Sequence, residues 1–140
     1  MNKTTLVAAS LLATALAWGY AQAASETFTG TLSNAAEVPP TTGSGSGTAQ
    51  VTLDTATKGV TYKVTYSGLS GPAAAAHLHC GAAAGANAGV AVPFKDPASP
   101  ITGSATLTDA QMADLEAGKC YVNVHTAANK GGELRAQLQK

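Results

Sequence analysis

The three histidines and two cysteines of this 140-residue chain lie in two short segments. His77, His79 and Cys80 stand together in the run AAHLHC, while Cys120 and His125 stand in the run CYVNVHT. Imidazole is the commonest metal-ligating side chain near neutral pH. Three imidazoles that leave one coordination position open suit copper or zinc. We therefore expect His77, His79 and His125 to bind a single Cu or Zn ion.

Both histidine segments have the alternation of β-strands that are apolar on one face. Alternate residues of a strand point to the same side of a sheet. His77 and His79 therefore project together, and Tyr121, Asn123 and His125 share one face of the second strand. An alternative hypothesis is that these histidines are solvated, or form hydrogen bonds that fix a loop, without binding a metal.

The two cysteines have more than one interpretation. In an oxidising compartment an even number of cysteines indicates a disulfide. A Cys80–Cys120 bond would close a loop of about 40 residues and stabilise the fold by roughly 3–4 kcal/mol. The alternatives are free buried thiols and thiolate metal ligands.

The disulfide and the histidine cluster make opposite demands on the strand register. If Cys80 pairs directly opposite Cys120, His77 reaches His125 diagonally. His79 then lies two pairs further away, roughly 13 Å along the strand at about 3.3 Å per residue. The convergence of all three histidines is expected only in a shifted register, in which Cys80 folds back from the following loop. The sequence leaves both arrangements open.

A polar row near the end of the chain is predicted to lie beside the His125 segment. The run GGELRAQL alternates polar and apolar residues and follows TAANKGG, a natural hairpin connection. Glu133 is a candidate metal ligand, or a partner that orients an imidazole. The favoured interpretation of Glu133 is a cross-strand ion pair with Arg135 or Lys130. Three further side chains are candidates to contact or supplement the metal ligands: Tyr121, Asn123 and Arg135.

Period-two alternation predicts strands through most of residues 24–140. The clearest runs are GTAQVTLD and VTYKVTYS, which a short link joins as a hairpin. Further strands are predicted at 26–33, 74–79, 90–94, 101–107, 120–126 and 133–139. Many short strands with glycine-rich turns indicate an all-β fold, a single-domain Greek-key β-sandwich.

One short helix is predicted near residues 109–117. Thr108 has the position of an N-cap, and Gln111 stands three residues later, which is the spacing of a capping box. Gly118 suits the left-handed conformation that ends many helices.

The first 23 residues have the features of a secretory signal peptide. MNKTT supplies one positive charge, LVAASLLATALAW is a short apolar run, and AQA is a small-x-small cleavage site. We expect cleavage after Ala23, export to the periplasm or the medium, and a domain over residues 24–140. The alternative is a retained membrane anchor, but the apolar run is shorter than the about 20 residues that a spanning helix needs.

Composition excludes several classes of partner. Without Lys3, the exported chain has seven basic and eight acidic side chains, a net charge near −1. Nucleic-acid binding normally requires a basic face, and no basic amphipathic helix is present for a membrane surface. The expected partner is a metal ion or another extracytoplasmic protein, and the sequence does not specify an oligomeric state.

Taken together, the segments resemble the CHRD domain, a module named for its occurrence in chordin and also found in exported bacterial proteins. The matching stretches are FTGTLSNAAEVPP, GSGTAQVTL, YSGLSGPAAAAHLHCGAAAGANAGVAV, ITGSATLT and LEAGKCYVNVHTAANKGGELRAQL. Lys130 stands where the family usually has proline, and Ala136 where it usually has glycine. The resemblance implies a secreted β-sandwich without an established catalytic activity.

A more limited similarity connects SGLSGPAAAAHLH with copper/zinc superoxide dismutase, in which a His-x-His strand follows a GL-x-x-G turn. The dismutase needs more histidines than the three in this chain, so a complete Cu–Zn pair cannot form.

Three functional hypotheses follow from these observations. The first is an exported, non-catalytic copper- or zinc-binding protein. The second is a structural or protein-interaction module without a metal. The third and weakest is a dismutase-like or hydrolytic metalloenzyme, because the chain lacks G-x-S-x-G and HExxH motifs and has few carboxylates from which to build an acid–base pair. No organic cofactor is indicated.

Overall fold

The structure, a computed structural model, describes residues 24–140, and within them the chain forms eight strands and one helix. The predicted signal peptide, residues 1–23, lies outside the described residues. In chain order the elements are β1 (Ser25–Ser33), β2 (Ser46–Asp54), β3 (Gly59–Ser67), β4 (Ala73–Cys80), β5 (Val90–Pro93), β6 (Ile101–Thr106), α1 (Asp109–Glu116), β7 (Cys120–Thr126) and β8 (Leu134–Gln137).

All eight strands of the described chain join one antiparallel sheet in the order β5-β4-β7-β8-β1-β2-β3-β6. One half of the sheet contains β1, β2, β3 and β6, and the other contains β4, β5, β7 and β8. The connections from β3 to β4, from β5 to β6 and from β6 to β7 each cross between the halves, which is Greek-key connectivity. The prediction of an all-β single domain with one short helix is confirmed.

The two halves enclose one hydrophobic core, because the alternate apolar residues of each strand point inward. Leu53 of β2, Leu78 of β4 and Val122 of β7 are fully buried in it. The two ends of the sheet approach each other, since Tyr62 of β3 stacks on Phe94, which follows β5, with ring centroids 4.2 Å apart. The predicted sandwich is therefore built from a single curved sheet.

The predicted strands agree with the observed bounds to within two residues. The largest difference is β8, which ends at Gln137 rather than at residue 139. Beyond it, Gln139 exchanges two backbone hydrogen bonds with Thr29 of β1, at 2.7 and 2.9 Å. The end of the chain thus extends the pairing between β8 and β1, where the two halves of the sheet meet.

The helix α1 forms for the reason that the sequence indicated. The Thr108 hydroxyl accepts a hydrogen bond from the Gln111 backbone amide, and the Gln111 side chain accepts one from the Thr108 amide. Gly118, just beyond the helix, has a φ of +71°, a conformation that favours glycine. No helix within residues 24–140 is long and apolar enough to cross a membrane.

The predicted disulfide is present between Cys80 and Cys120. These residues are directly opposite each other at the end of the β4–β7 pair. The same register places His77 opposite Asn123 and His79 opposite Tyr121.

Loss of the disulfide is expected to destabilise the fold without changing it. The Cys80→Ala, Cys120→Ala double variant opens a loop of 40 residues, so we expect the free energy of unfolding to fall by about 3–4 kcal/mol. Urea unfolding of the oxidised wild type and of the double variant measures this difference. Reductant should lower the wild-type midpoint and leave that of the variant unchanged; coincident oxidised midpoints would contradict the expectation.

Candidate metal centre

The polar face of β7 is covered by protein, although strands at a protein surface usually have a solvated polar face. Tyr121 and Asn123 are as buried on this face as the apolar residues of β7 are on the other. Arg135 of β8, directly opposite Asn123, is only 1 % exposed. Polar groups that are buried in this way must find their partners inside the protein.

The three histidines converge on this face. One ligand nitrogen from each of His77, His79 and His125 lies within 4.8 Å of the other two. His77 Nδ1 is 3.0 Å from His125 Nε2. Asn123 lies among the rings, with its Oδ1 3.0 Å from His79 Nε2 and 2.9 Å from His125 Nε2.

The expectation that convergence requires a shifted register was wrong. Cys80 is opposite Cys120, and the histidines nevertheless meet. Side chains on strands lean along the strand direction, and His79 and His125 lean toward each other from opposite sides of Asn123. The two rings therefore come closer together than the separation of His79 and His125 along the strands had suggested.

Two backbone carbonyls orient the imidazoles. His79 Nδ1 donates to the Ala88 carbonyl at 2.9 Å, and His125 Nδ1 donates to the Lys130 carbonyl at 2.8 Å. This hydrogen bonding assigns the proton of each neutral ring to Nδ1, which leaves the Nε2 lone pair directed at the cluster. A histidine that ligates a metal is typically held by such a bond from its second nitrogen.

Inside the cluster, His77 Nδ1 can donate to the Nε2 lone pair of His125 at 3.0 Å, whereas the Nε2 lone pair of His79 meets no N–H or O–H in the described part of the chain. The Nε2 lone pairs of His79 and His125 both point at Asn123 Oδ1, which is also an acceptor. Protonation could fill the gap, but burial lowers the pKa of both His77 and His79 below their ordinary value. The hydrogen bonds of His79 to Ala88 and Asn123 oppose that fall without reversing it. A metal cation would satisfy the same acceptors without protonating a ring.

Arg135 and Tyr121 stack beneath His79. The Arg135 guanidinium carbon lies 3.5 Å from the Tyr121 ring centroid, and the Tyr121 ring is parallel to that of His79 at 4.7 Å. Arg135 also donates to the Asn87 side chain and the Ala86 carbonyl, which holds the β4–β5 loop over the site.

Glu133 is not in the histidine cluster, and the expected ion pair with Arg135 or Lys130 was wrong, since the described chain contains neither. Its carboxylate instead accepts hydrogen bonds from Ser70 at 2.6 and 2.7 Å, from Thr126 at 2.5 Å and from Asn129 at 3.0 Å. Burial by itself would raise the pKa of Glu133, but these donors lower it to about 2. Glu133 therefore anchors the loop that follows β3.

Sequence reasoning missed Glu37, which lies in the loop after β1. Glu37 is 3 % exposed, and its Oε1 accepts a hydrogen bond from the Val38 amide. Its Oε2 has no hydrogen-bond partner within residues 24–140. The one signal was an acidic residue in the otherwise uncharged run SNAAEVPP, and no periodicity places that run beside β7.

Comparison with known proteins identifies a family. The family model of the CHRD domain matches residues 28–138, a range that contains the three histidines, Asn123, Arg135 and Glu37. Neither the curated proteins nor the solved structures contain a match.

Substitution of Glu133 is expected to cost stability in a pH-dependent way. Glu133→Gln removes a buried anion that accepts four hydrogen bonds, so we expect the free energy of unfolding at pH 7 to fall by about 2–4 kcal/mol. Because the folded pKa of about 2 is below the ordinary 4.5, the contribution of the carboxylate is present above pH 4.5 and is lost as the pH falls toward 2.

Urea unfolding at several pH values measures both effects, with the exposed Glu116→Gln as the matched control, for which we expect a change within about 0.5 kcal/mol. The difference between wild type and Glu133→Gln should shrink as the pH falls from 4.5 toward 2. A difference that stays constant over that range would show that the charge of Glu133 contributes nothing.

Proposed function

We propose that this chain, which belongs to the CHRD domain family, is an exported, non-catalytic protein that binds one Cu or Zn ion through His77, His79 and His125. The observation that carries the proposal is the orientation of two Nε2 lone pairs, fixed by backbone carbonyls, toward a shared acceptor oxygen. A cation at that point satisfies acceptors that otherwise face each other.

The distances within the cluster are close to those of a small coordination sphere. A tetrahedral ion with bonds of about 2.0–2.1 Å separates its ligands by roughly 3.3 Å. The contacts of His77 with His125, and of Asn123 with His79 and His125, span 2.9–3.0 Å and would widen slightly. The widest pair of histidine nitrogens, up to 4.8 Å apart, would move closer together, and Asn123 Oδ1 or a water supplies the fourth ligand.

The donor set favours metals that accept nitrogen and oxygen ligands. Both cysteines are in the disulfide, so no thiolate is available. Three imidazoles with an amide oxygen or water suit Cu(II) and Zn(II), whereas soft thiolates would have favoured Cu(I) or an iron–sulfur cluster.

A second candidate function is a structural or protein-interaction module without a metal. The hydrogen bonds of His79 to Ala88 and of His125 to Lys130 favour it, because they also fix the β4–β5 and β7–β8 loops. This hypothesis accounts for the His125 lone pair, to which His77 Nδ1 can donate, but not for the His79 lone pair directed at Asn123 Oδ1. Metal binding accounts for both sets of contacts, and for that reason we place it first.

Export is supported by three features. The CHRD domain and the Cys80–Cys120 disulfide are both consistent with an extracellular protein. The apolar run and the AQA site of residues 1–23 supply a signal for translocation and cleavage.

Titration of the purified exported protein with Cu(II) or Zn(II) should show saturable binding of one ion per chain. We expect the single variants His77→Ala and His125→Ala to weaken binding at least about 100-fold, which exceeds the usual effect of losing a residue that only orients a ligand. Saturating metal should also raise the wild-type unfolding free energy, by about 2.7 kcal/mol at a free concentration of 100 Kd.

The matched control is Lys63→Ala, an exposed position of β3 in the other half of the sheet, which should bind as the wild type does. The absence of saturable heat with either metal would leave the structural module as the better hypothesis. Equal metal content in protein from the native compartment, with and without His77 and His125, would lead to the same conclusion.

Intact-mass measurement of protein recovered from the periplasm or the medium should give a chain that begins at Ala24 and is two mass units lighter than its reduced form. The mass loss reflects the closed disulfide. A chain that retains residues 1–23, found in the membrane fraction, would contradict the proposed export and support the anchor alternative.

A further inference from the structure

Glu37 is a buried carboxylate that the hydrogen bonding of the fold does not fully explain. It lies in the loop that follows β1, and it is 3 % exposed. Oε1 accepts a hydrogen bond from the Val38 amide at 3.1 Å, whereas Oε2 has no well-formed hydrogen bond in the described part of the chain; the side-chain donor that faces it is the Asn123 amide, which opposes the rise in the pKa of Glu37 that burial causes. Burying a carboxylate oxygen with so incomplete a partner costs free energy.

The Oε2 atom is next to the amide of Asn123. A Cβ built on Gly132 would lie within 2.8 Å of both Glu37 Oε2 and Asn123 Nδ2, so these two atoms occupy the space that a side chain at position 132 would fill. Gly132 has a φ of +125°, which also favours glycine. The β7–β8 loop is thus shaped to let the carboxylate and the amide approach each other.

Glu37 determines which end of the amide faces the histidines. An ionised carboxylate only accepts hydrogen bonds, whereas an asparagine amide has one donor end and one acceptor end. With Nδ2 toward Glu37, Oδ1 must face the Nε2 atoms of His79 and His125, as observed. The charge of Glu37 thus leads to the excess of acceptors at the centre of the cluster.

We propose that Glu37 is a positioning residue of this metal centre: its carboxylate holds the Asn123 amide with Oδ1 toward the histidines and supplies buried negative charge that favours a cation among them. The inference rests on the proposed function. Burial raises the pKa of Glu37, and the positive charge of Arg135 and the Asn123 amide oppose that rise. A bound cation, like Arg135, opposes the rise in the pKa of Glu37.

Removal of the Glu37 charge should allow the histidine lone pairs to be satisfied by hydrogen bonds without a metal. With glutamine at position 37, the Asn123 amide can turn over and donate from Nδ2 to the lone pairs of His79 and His125. The metal-free fold then loses no stability, while the site loses both its fourth acceptor and its compensating charge. Glu37→Gln should therefore weaken metal binding while the metal-free protein unfolds at the wild-type urea concentration or above.

Competition titration with Cu(II) tests this on the full exported chain. We expect Glu37→Gln to weaken Cu(II) binding about 10- to 100-fold, which is typical of a residue that orients metal ligands. Glu26→Gln is the matched control, since Glu26 also has a carboxylate oxygen without a hydrogen-bond partner in the described residues but lies in β1, in the half of the sheet without the histidines. We expect Glu26→Gln to leave Cu(II) affinity unchanged.

A double-variant cycle tests whether Glu37 acts through Asn123. If it does, Glu37→Gln should weaken Cu(II) binding less in the Asn123→Ala background than in the wild type, and the loss that remains measures the direct effect of the charge. Additive losses, or wild-type affinity in Glu37→Gln, would overturn the proposal.

A measurement on the metal-free protein separates this inference from the proposed function. The side-chain amide protons of Asn123, followed by 15N NMR, should shift and exchange faster in Glu37→Gln and should be unchanged in Glu26→Gln. If wild type binds no metal, the proposed function fails, and the amide signals still show whether Glu37 orients Asn123. Identical Asn123 signals in wild type and Glu37→Gln would overturn the orientation itself.

Discussion

The strand β7 is buried on both faces, and this constraint shapes the rest of the molecule. Its apolar face belongs to the core, and its polar face is covered by the loops after β1, within β4–β5 and within β7–β8. The fully buried polar groups there, Tyr121, Asn123 and Arg135, must be satisfied by protein rather than water, whereas His125 is partly exposed. Arg135 does so through the β4–β5 loop, and Glu133 through Ser70 after β3. The loops are therefore held in place by the face that they cover.

The loops that cover this face also orient the histidines. His79 and His125 donate to carbonyls that belong to two different loops, so their orientation depends on those loops being closed. The buried charges of Arg135 and Glu37 have opposite signs and line one cavity beside the cluster, with Arg135 stacked on Tyr121 and Glu37 beside Asn123. The positive charge of Arg135 opposes the rise in the pKa of Glu37 that burial causes, and so helps to keep this carboxylate ionised.

Local patterns in the sequence predicted the strands and the helix, because the formation of these elements depends on residues that are close in the chain. Alternation placed every strand, and the capping box of Thr108 and Gln111 placed the helix. Strand parity correctly grouped His77 with His79, and Asn123 with His125. The remainder depended on loops, whose paths carry no periodic signal: Glu37 and the partners of Glu133 come from distant segments. The inclination of the His79 and His125 side chains along their strands was also missed. For that reason the Cys80–Cys120 register and the histidine cluster were treated as incompatible.

The distinction between a metal centre and a purely structural cluster depends on where the donors are. A hydrogen-bonded histidine cluster that serves only to fix loops reaches its lowest energy when every lone pair meets a donor. Here the Nδ1 protons are used on the outer side, toward Ala88 and Lys130, and the inner side is left with lone pairs around Asn123 Oδ1. Turning over one amide would supply the missing donors, and the carboxylate of Glu37 opposes that turn. A fold that keeps a buried anion there, at a cost in desolvation, keeps Asn123 Oδ1 turned toward the His79 lone pair, and this arrangement supports the proposed binding of a cation.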